Sequence, residues 1–235
     1  EIPGALDRLA AHEPASITLD VQGLDRGEVV ETTFDPGDLW GDVTPIPAKR
    51  PDFLAIISQH SLATMLHRKA NGRVDGFIIE APTAGGHNAP PRGKTTPNEK
   101  GEPIYGERDV ADLEKIAELG LPFWLAGSAG SPEALVAALD AGAAGIQVGT
   151  LFAYCDESGL DPENRKRVVE QALAGTLNVL TDGRASPTGF PFKVVQMENT
   201  VSTEEDYKAR TRVCDLGYLR SMYKMENGRI GYRCA

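Results

Sequence analysis

Long apolar runs are missing from this sequence. The longest, Phe53 to Ile57 and Phe77 to Ile79, are strand-sized and fall far short of the roughly 20 residues that cross a bilayer. No membrane span is expected. Cysteine is scarce as well: Cys155, Cys214 and Cys234 are widely spaced and form no CxxC pair. This excludes a disulfide framework, suits a reducing cytosol, and with no His at ligand spacing gives no reason to expect a structural metal. Dense Lys/Arg runs are also absent, and 34 acidic residues outnumber 24 basic ones. Without a phosphate-neutralising surface, a nucleic-acid partner is not expected. The start, Glu1-Ile2-Pro3-Gly4, has neither an initiator Met nor a basic-then-apolar leader, so it reads neither as a native N-terminus nor as an export route.

What remains is ordinary globular material, 41% hydrophobic and 25% charged over 235 residues, enough for one main core. Between residues 50 and 152 a short apolar strand, a Gly- or Ser-bearing turn and an amphipathic helix recur, the rhythm of parallel β/α units. The pattern predicts strands over Phe53–Ser58, Val74–Glu80, Pro122–Ala126 and Gly145–Val148, with an earlier candidate at Ile17–Gln22. It predicts helices over Leu62–Lys69, Val110–Leu119 and Pro132–Ala141. The last has a defined start, Ser131 as cap, Pro132 in the first turn and Glu133 on the dipole, and a defined stop at Gly142.

Residues 24–49 read as a surface insertion, residues 164–180 as another helix, and Asp182 to Phe192 as a loop able to act as a lid. Thr203 to Arg212 suits a helix, and the tail to Ala235 has no clear period. No solenoid-length repeat is present. The expected organisation is an α/β fold of the (β/α)8 TIM-barrel type, with 1–180 as the barrel portion and 181–235 as lid loop and C-terminal extension. Only about five strands can be drawn where a closed barrel needs eight. Either the N-terminal strands are missing from this chain, or its front forms a smaller open sheet with exposed edges.

The densest chemistry lies in Glu80-Ala81-Pro82-Thr83-Ala84-Gly85-Gly86-His87, directly after a buried-type strand. Gly85 and Gly86 allow a backbone to approach a flat ligand, and His87 follows at the strand end where barrels place their active sites. Imidazole is the side chain best suited to general-base work near neutral pH. A histidine in a Gly-rich surface turn is the plain alternative. Two further turns add to the case: Gly127-Ser128-Ala129-Gly130 opens a helix, and Gln147-Val148-Gly149-Thr150 closes the next strand. Backbone N–H groups, a helix N-terminus and hydroxyls together suit a phosphate monoester. Each turn alone is a weak motif, and the ordered set is stronger.

That order, Glu-x-x-x-Ala-Gly-Gly-His, then Ala-Gly at a strand end, then Gln-x-Gly-Thr, resembles the nitronate monooxygenase (2-nitropropane dioxygenase-like) family from about Asp52 through Phe152. The runs Ala185-Ser186-Pro187-Thr188-Gly189-Phe190-Pro191-Phe192-Lys193 and Cys214-Asp215-Leu216-Gly217-Tyr218 resemble a bacterial branch under the same name. The resemblance implies a TIM barrel holding FMN non-covalently, with His87 as the catalytic base. It implies that Gln147, Val148, Gly149 and Thr150 bind the FMN phosphate end, beside Gly85, Gly86, Gly127 and Ser128. The implied reaction takes an alkyl nitronate, or a nitroalkane deprotonated by His87, with oxygen to a carbonyl compound and nitrite.

The sequence departs from the family at Gly127-Ser128, where Gly-Gly is usual, and at Asn88-Ala89-Pro90-Pro91-Arg92, where small residues are usual. The family's N-terminal strand with its Ala-Pro-Met-type flavin contact has no counterpart here. Arg92 and Lys193 are candidates to pair with an anion, weighed against solvated surface groups. Gln59, His60 and Tyr105 are candidate flavin neighbours, Glu80 reads best as a turn hydrogen-bonder, and His12 and His67 as surface residues. Two other readings fit: an FMN-dependent enoyl reductase using a nicotinamide, and a non-catalytic flavin-binding fragment. Self-association is left open.

Overall fold

The computed structural model describes residues 1–41, 43, 46, 48–186, 189–213 and 220–234. In chain order the first elements are α1 (Ile2–Ala10), β1 (Ala15–Thr18), β2 (Val21–Gln22), β3 (Glu31–Phe34) and α2 (Gly37–Trp40). The β/α repeat follows: β4 (Leu54–Ile57), α3 (His60–Lys69), β5 (Gly76–Glu80), α4 (Leu113–Ala117), β6 (Phe123–Ala126), α5 (Pro132–Asp140) and β7 (Gly145–Gln147). The rest comprises α6 (Thr150–Ala153), α7 (Pro162–Leu173), β8 (Val179–Asp182), β9 (Phe192–Val195), α8 (Glu204–Ala209), β10 (Arg220–Lys224) and β11 (Ile230–Cys234).

The chain divides into two compact units. One comprises Glu1–Phe53, Met65–Asp75 and Arg212–Ala235, the other Leu54–Thr64 and Gly76–Thr211. In the first, β1 pairs antiparallel with β3, while β10 pairs antiparallel with β11 and parallel with β2. The strand expected at Ile17–Gln22 is therefore two short strands in small sheets, outside the parallel repeat. Its residues are too polar and exposed for a buried strand: only Ala15 of β1 is buried. The stretch 24–49 carries β3 and α2 where only a loop was expected.

The second unit is built on a four-stranded parallel sheet, ordered β4-β5-β6-β7, and the apolar runs explain it. Register places Ala55, Phe77 and Phe123 in one row and Ile57 and Ile79 in the next, and all five are buried. Helical Ala63, Ile116, Ala138 and Val168 are buried with them. On the opposite face Ile56, Ile78 and Trp124 form a row, and Ile56 remains 58% exposed. Among the described residues the parallel sheet has four strands, mixed with helices, and its outer edges carry no partner strand.

Helix ends follow local chemistry. Ser131 Oγ accepts the Ala134 N–H at 3.1 Å at the start of α5. At its end Ala143 N–H reaches Ala138 C=O and Gly142 N–H reaches Leu139 C=O, with Gly142 at φ +84°, a Schellman close. α7 closes in the same way at Gly175, so the helix expected through residue 180 stops at Leu173. The residues beyond form the β8–β9 hairpin. No helix among the described residues is long and apolar enough to cross a membrane.

Candidate functional site

Three turns at the C-terminal ends of β5, β6 and β7 come together. Gly127, at φ +96°, lies so close to the first turn that a Cβ on it would sit 3.0 Å from both Ala84 N and Thr83 Oγ1. A Cβ on Gly85 would meet Thr150 Oγ1 at 3.0 Å, and one on Gly130 would meet Val148 Cγ1 at 3.4 Å. The approach of the β6 turn to the β5 turn backbone therefore favours glycine at 127, while a Cβ at 85 would press on the Thr150 hydroxyl. Ser128 follows at φ +54°, a left-handed conformation that a non-glycine residue adopts at a cost. Gln147, Gly149 and Thr150 are exposed and Val148 half-buried at the mouth of this cradle. The cradle is bordered by the N-terminus of α5, whose first-turn amides favour an anion.

His87 is held from the opposite end of the chain. Gly86 C=O accepts the Lys193 N–H at 2.9 Å, and Asn88 N–H donates to Pro191 C=O at 2.8 Å, so His87 and Phe192 form a bridge between the turn and β9. The imidazole stands edge-on to the Phe192 ring, centroids 4.7 Å apart. Its Nε2 lies 2.6 Å from Ser186 Oγ, and Ser186 is 5% exposed. Asn88 is buried and donates through Nδ2 to Ala84 C=O at 3.0 Å.

The region expected as a lid thus supplies the partners of His87. Ser186 and Phe192 lie in the run that resembles the bacterial branch, but neither receives a role there toward His87, which lies 99 and 105 residues earlier in the chain. Pro187, Thr188 and the Cys214–Tyr218 run lie outside the described residues. Cys155 is a free thiol donating to Phe152 C=O at 3.0 Å.

A small open cleft lies between the ends of β4 and β5 and the segment 89–109, lined by Gln59, Glu80, Pro82, Arg92, Tyr105 and Asp109. Its wall is well tied. Asp109 accepts the backbone N–H of Arg92 at 2.7 Å and of Gly106 at 2.8 Å. Tyr105 Oη donates to Ala89 C=O at 3.0 Å, and Gln59 Nε2 to Arg108 C=O at 3.0 Å. Burial, reinforced by the charge of Asp109, pushes the Tyr105 hydroxyl up.

Glu80 lines the same cleft. Burial pushes its carboxyl up, opposed by the nearby charge of His87. The turn hydrogen bond expected of Glu80 is not among those of the described residues. Arg92 reaches the cleft wall, whereas Lys193 Nζ is engaged with Thr181 Oγ1 at 2.5 Å. Burial pushes the Lys193 ammonium down, against the charge of Glu102. His60 opens α3, and its buried Nδ1 has no partner among the described residues. His67 is exposed on α3, and His12 lies at a turn, edge-on to Trp40 at 4.7 Å.

The arrangement is a histidine-bearing turn near a glycine-lined cradle and a small cleft. Known proteins show related sequences. A probable nitronate monooxygenase from Bacillus subtilis is 33% identical over 113 residues, 47% of this chain and 30% of that protein. The structure of FabK from Thermotoga maritima is 22% identical with a TM-score of 0.44, covering 67% of this chain and 41% of that one. A point mutant of that FabK is 23% identical with a TM-score of 0.42, covering 62% and 40%. The chain thus spans less than half the length of these relatives. Residues 18–205 match the nitronate monooxygenase family as a whole, and the chain belongs to that family.

Proposed function

We propose that this chain is the flavin-phosphate-binding and base-carrying part of an FMN-dependent (β/α)8 oxidoreductase that oxidises alkyl nitronates with oxygen. Family membership over residues 18–205 supports the chemistry. The observation that carries it to a site is His87, fixed at the C-terminal end of a parallel strand beside the glycine cradle. Two nitronate anions and one O2 give two carbonyl compounds and two nitrite ions, so atoms and charge balance without a nicotinamide. The cradle fits a phosphate monoester: Gly85 and Gly127 leave backbone bare where a Cβ would fill it, and the α5 N-terminus adds its dipole. Gly127, Ser128, Gln147, Val148, Gly149 and Thr150 would hold the phosphate end, with Gly85 and Gly86 against the ring system. FMN, when bound, accepts electrons from the substrate and passes them to oxygen.

His87 serves the step before that. With Nε2–H donating to Ser186 Oγ, the lone pair sits on Nδ1, which takes the α-proton of a nitroalkane. Phe192 holds the ring plane. A preformed nitronate needs no deprotonation and places no such demand on His87.

The test is visible spectroscopy of the purified protein under anaerobic conditions. Nitroethane and propionate 3-nitronate should each bleach the flavin band. His87→Asn should slow the nitroethane reaction by roughly 10²–10⁴-fold and leave the nitronate reaction far less affected. Bleaching by NADH or NADPH alone, with indifference to both nitro compounds, would replace this reading with the enoyl reductase. Absence of any flavin under reconstitution would remove the cofactor assignment.

A further inference from the structure

The segment that carries His87 also holds the hairpin that His87 leans on. Residues 81–112 run from β5 to α4, and they grip the β8–β9 hairpin on both of its outer edges. At the β9 edge, Gly86 C=O accepts the Lys193 N–H and Pro191 C=O accepts the Asn88 N–H. At the β8 edge, Glu102 Oε1 accepts the Thr181 N–H at 2.9 Å. Thr181 and Lys193 face each other in the strand pair, and both of their backbone N–H groups bond outward to the same segment. They are therefore a non-hydrogen-bonded pair, the kind whose side chains lie closest, and Lys193 Nζ donates to Thr181 Oγ1. Thr181 is buried, and an N–H on a buried residue needs a partner. Glu102 is that partner.

Glu102 is itself fixed in place. Asn98 Oδ1 accepts the N–H groups of Lys100 and Glu102, both at 2.9 Å, and Asn98 Nδ2 donates to Glu102 Oε2 at 3.0 Å. Pro97 and Pro103 bridge across the same turn. One carboxylate oxygen thus holds the turn and the other holds β8.

We infer that Glu102 is a positioning residue for His87: its carboxylate pins β8, so that the hairpin presents Phe192 and the Ser186 hydroxyl to the imidazole. For the placement of His87 the inference stands on these hydrogen bonds. For the effect on nitroalkane deprotonation it rests on the function proposed above. The decisive property is the reach of an acceptor oxygen to Thr181 N–H, not the charge.

Imidazole NMR of the purified protein reads the placement. The chain has four histidines, His12, His60, His67 and His87, and the His87 signals are those lost in His87→Asn. The Phe192 ring, 4.7 Å away, displaces the His87 ring-proton resonances from the free-imidazole position. Glu102→Ala should return them toward that position while those of His60, in the same compact unit, stay where they are. Glu102→Asp keeps the charge but withdraws the oxygens by one methylene, and should match Glu102→Ala. Glu102→Gln keeps an acceptor at the original reach and should match the parent. Anaerobic flavin bleaching by nitroethane should slow about tenfold in the Ala and Asp variants, the worth of one hydrogen bond. Glu102→Gln should restore it, and the reaction of propionate 3-nitronate should be unchanged in all three.

Unmoved His87 resonances in Glu102→Ala, equal movement of His60 and His87, or a Glu102→Gln protein that behaves like Glu102→Ala would each overturn the proposal. His87 resonances that follow Glu102 in a protein whose flavin ignores nitroethane and nitronate would uphold the positioning and reject the nitronate chemistry. Nitroethane turnover that depends on His87 but is indifferent to Glu102 would do the reverse.

Discussion

Gly127→Ala probes the cradle with the least chemistry added. At φ +96° an L-residue lies beyond the left-handed well near +57°, and reaching that region costs about 1–2 kcal/mol. The new methyl would also sit 3.0 Å from Ala84 N and Thr83 Oγ1 and 3.1 Å from Ala81 Cβ. Thr83 Oγ1 can rotate away, but Ala84 N cannot retreat freely because it is bonded to Ala81 C=O at 2.9 Å. Relieving that contact adds about 1–2 kcal/mol, for a total of roughly 2–4 kcal/mol out of a typical 5–15.

The neighbouring change works in the other direction. Ser128→Gly relieves the strain at φ +54° by about 1–2 kcal/mol but gives back about 0.4–1 kcal/mol as unfolded-state entropy, so it should be neutral or stabilising by up to about 1.6 kcal/mol. Urea unfolding read by tryptophan fluorescence, with FMN retention measured in parallel, checks both. Gly127→Ala should lower the midpoint and release FMN, and Ser128→Gly should do neither. A Gly127→Ala protein within about 0.5 kcal/mol of the parent that holds FMN equally well would refute the close approach of the three turns.

Further predictions concern the core and the base. Phe77, fully buried in β5, should cost about 3–5 kcal/mol on truncation to alanine, seen as a lowered urea midpoint. Ser186→Ala removes the partner of His87 Nε2 and should slow nitroethane-dependent flavin bleaching about tenfold, the worth of one hydrogen bond, with FMN content unchanged. Burial holds Glu80 protonated to higher pH in the folded than in the unfolded chain. Folding therefore takes up a proton, and stability is lost as pH rises through the window above the ordinary carboxyl value of 4.5. Glu80→Gln should be more stable than the parent at alkaline pH, with the difference closing as pH falls below that value; a constant difference would argue against a desolvated carboxyl.

Much of the parallel sheet was legible because its determinants are local. Phe53 to Ile57, Phe77 to Ile79 and Phe123 to Ala126 are continuous apolar runs, as strands buried between layers must be, and Ser131-Pro132-Glu133 with Gly142 encloses α5 within one stretch. Two misses had readable signals. Gly175, adopting φ +68°, was available to stop α7 before residue 180. Asn227-Gly228 lies in the turn between β10 and β11, where Gly228 takes φ +78° and Met225 N–H bonds Arg229 C=O at 2.8 Å. The flanking Arg, Tyr and Lys residues masked that hairpin because its strands carry little apolar alternation.

The β8–β9 hairpin is a different kind of miss. Its strands pair with each other, but Pro191 and Lys193 also bond Asn88 and Gly86, roughly a hundred residues earlier, and no short window of sequence contains both of those partners. The same separation explains why His87 could be named from its neighbours while Ser186 could not. A general base needs a residue type and a strand end, both written locally. Its ring is held by whatever hydroxyl the rest of the chain delivers to Nε2, and that information exists only once the fold has closed. On the proposed function, the base is therefore encoded in the β5 turn, while its hydroxyl partner comes from the loop before β9. Exchanging residues 183–191 for a plain glycine-serine loop should leave the sheet and FMN retention intact while removing most of the nitroethane reaction; unchanged deprotonation after that exchange would show that His87 needs no partner.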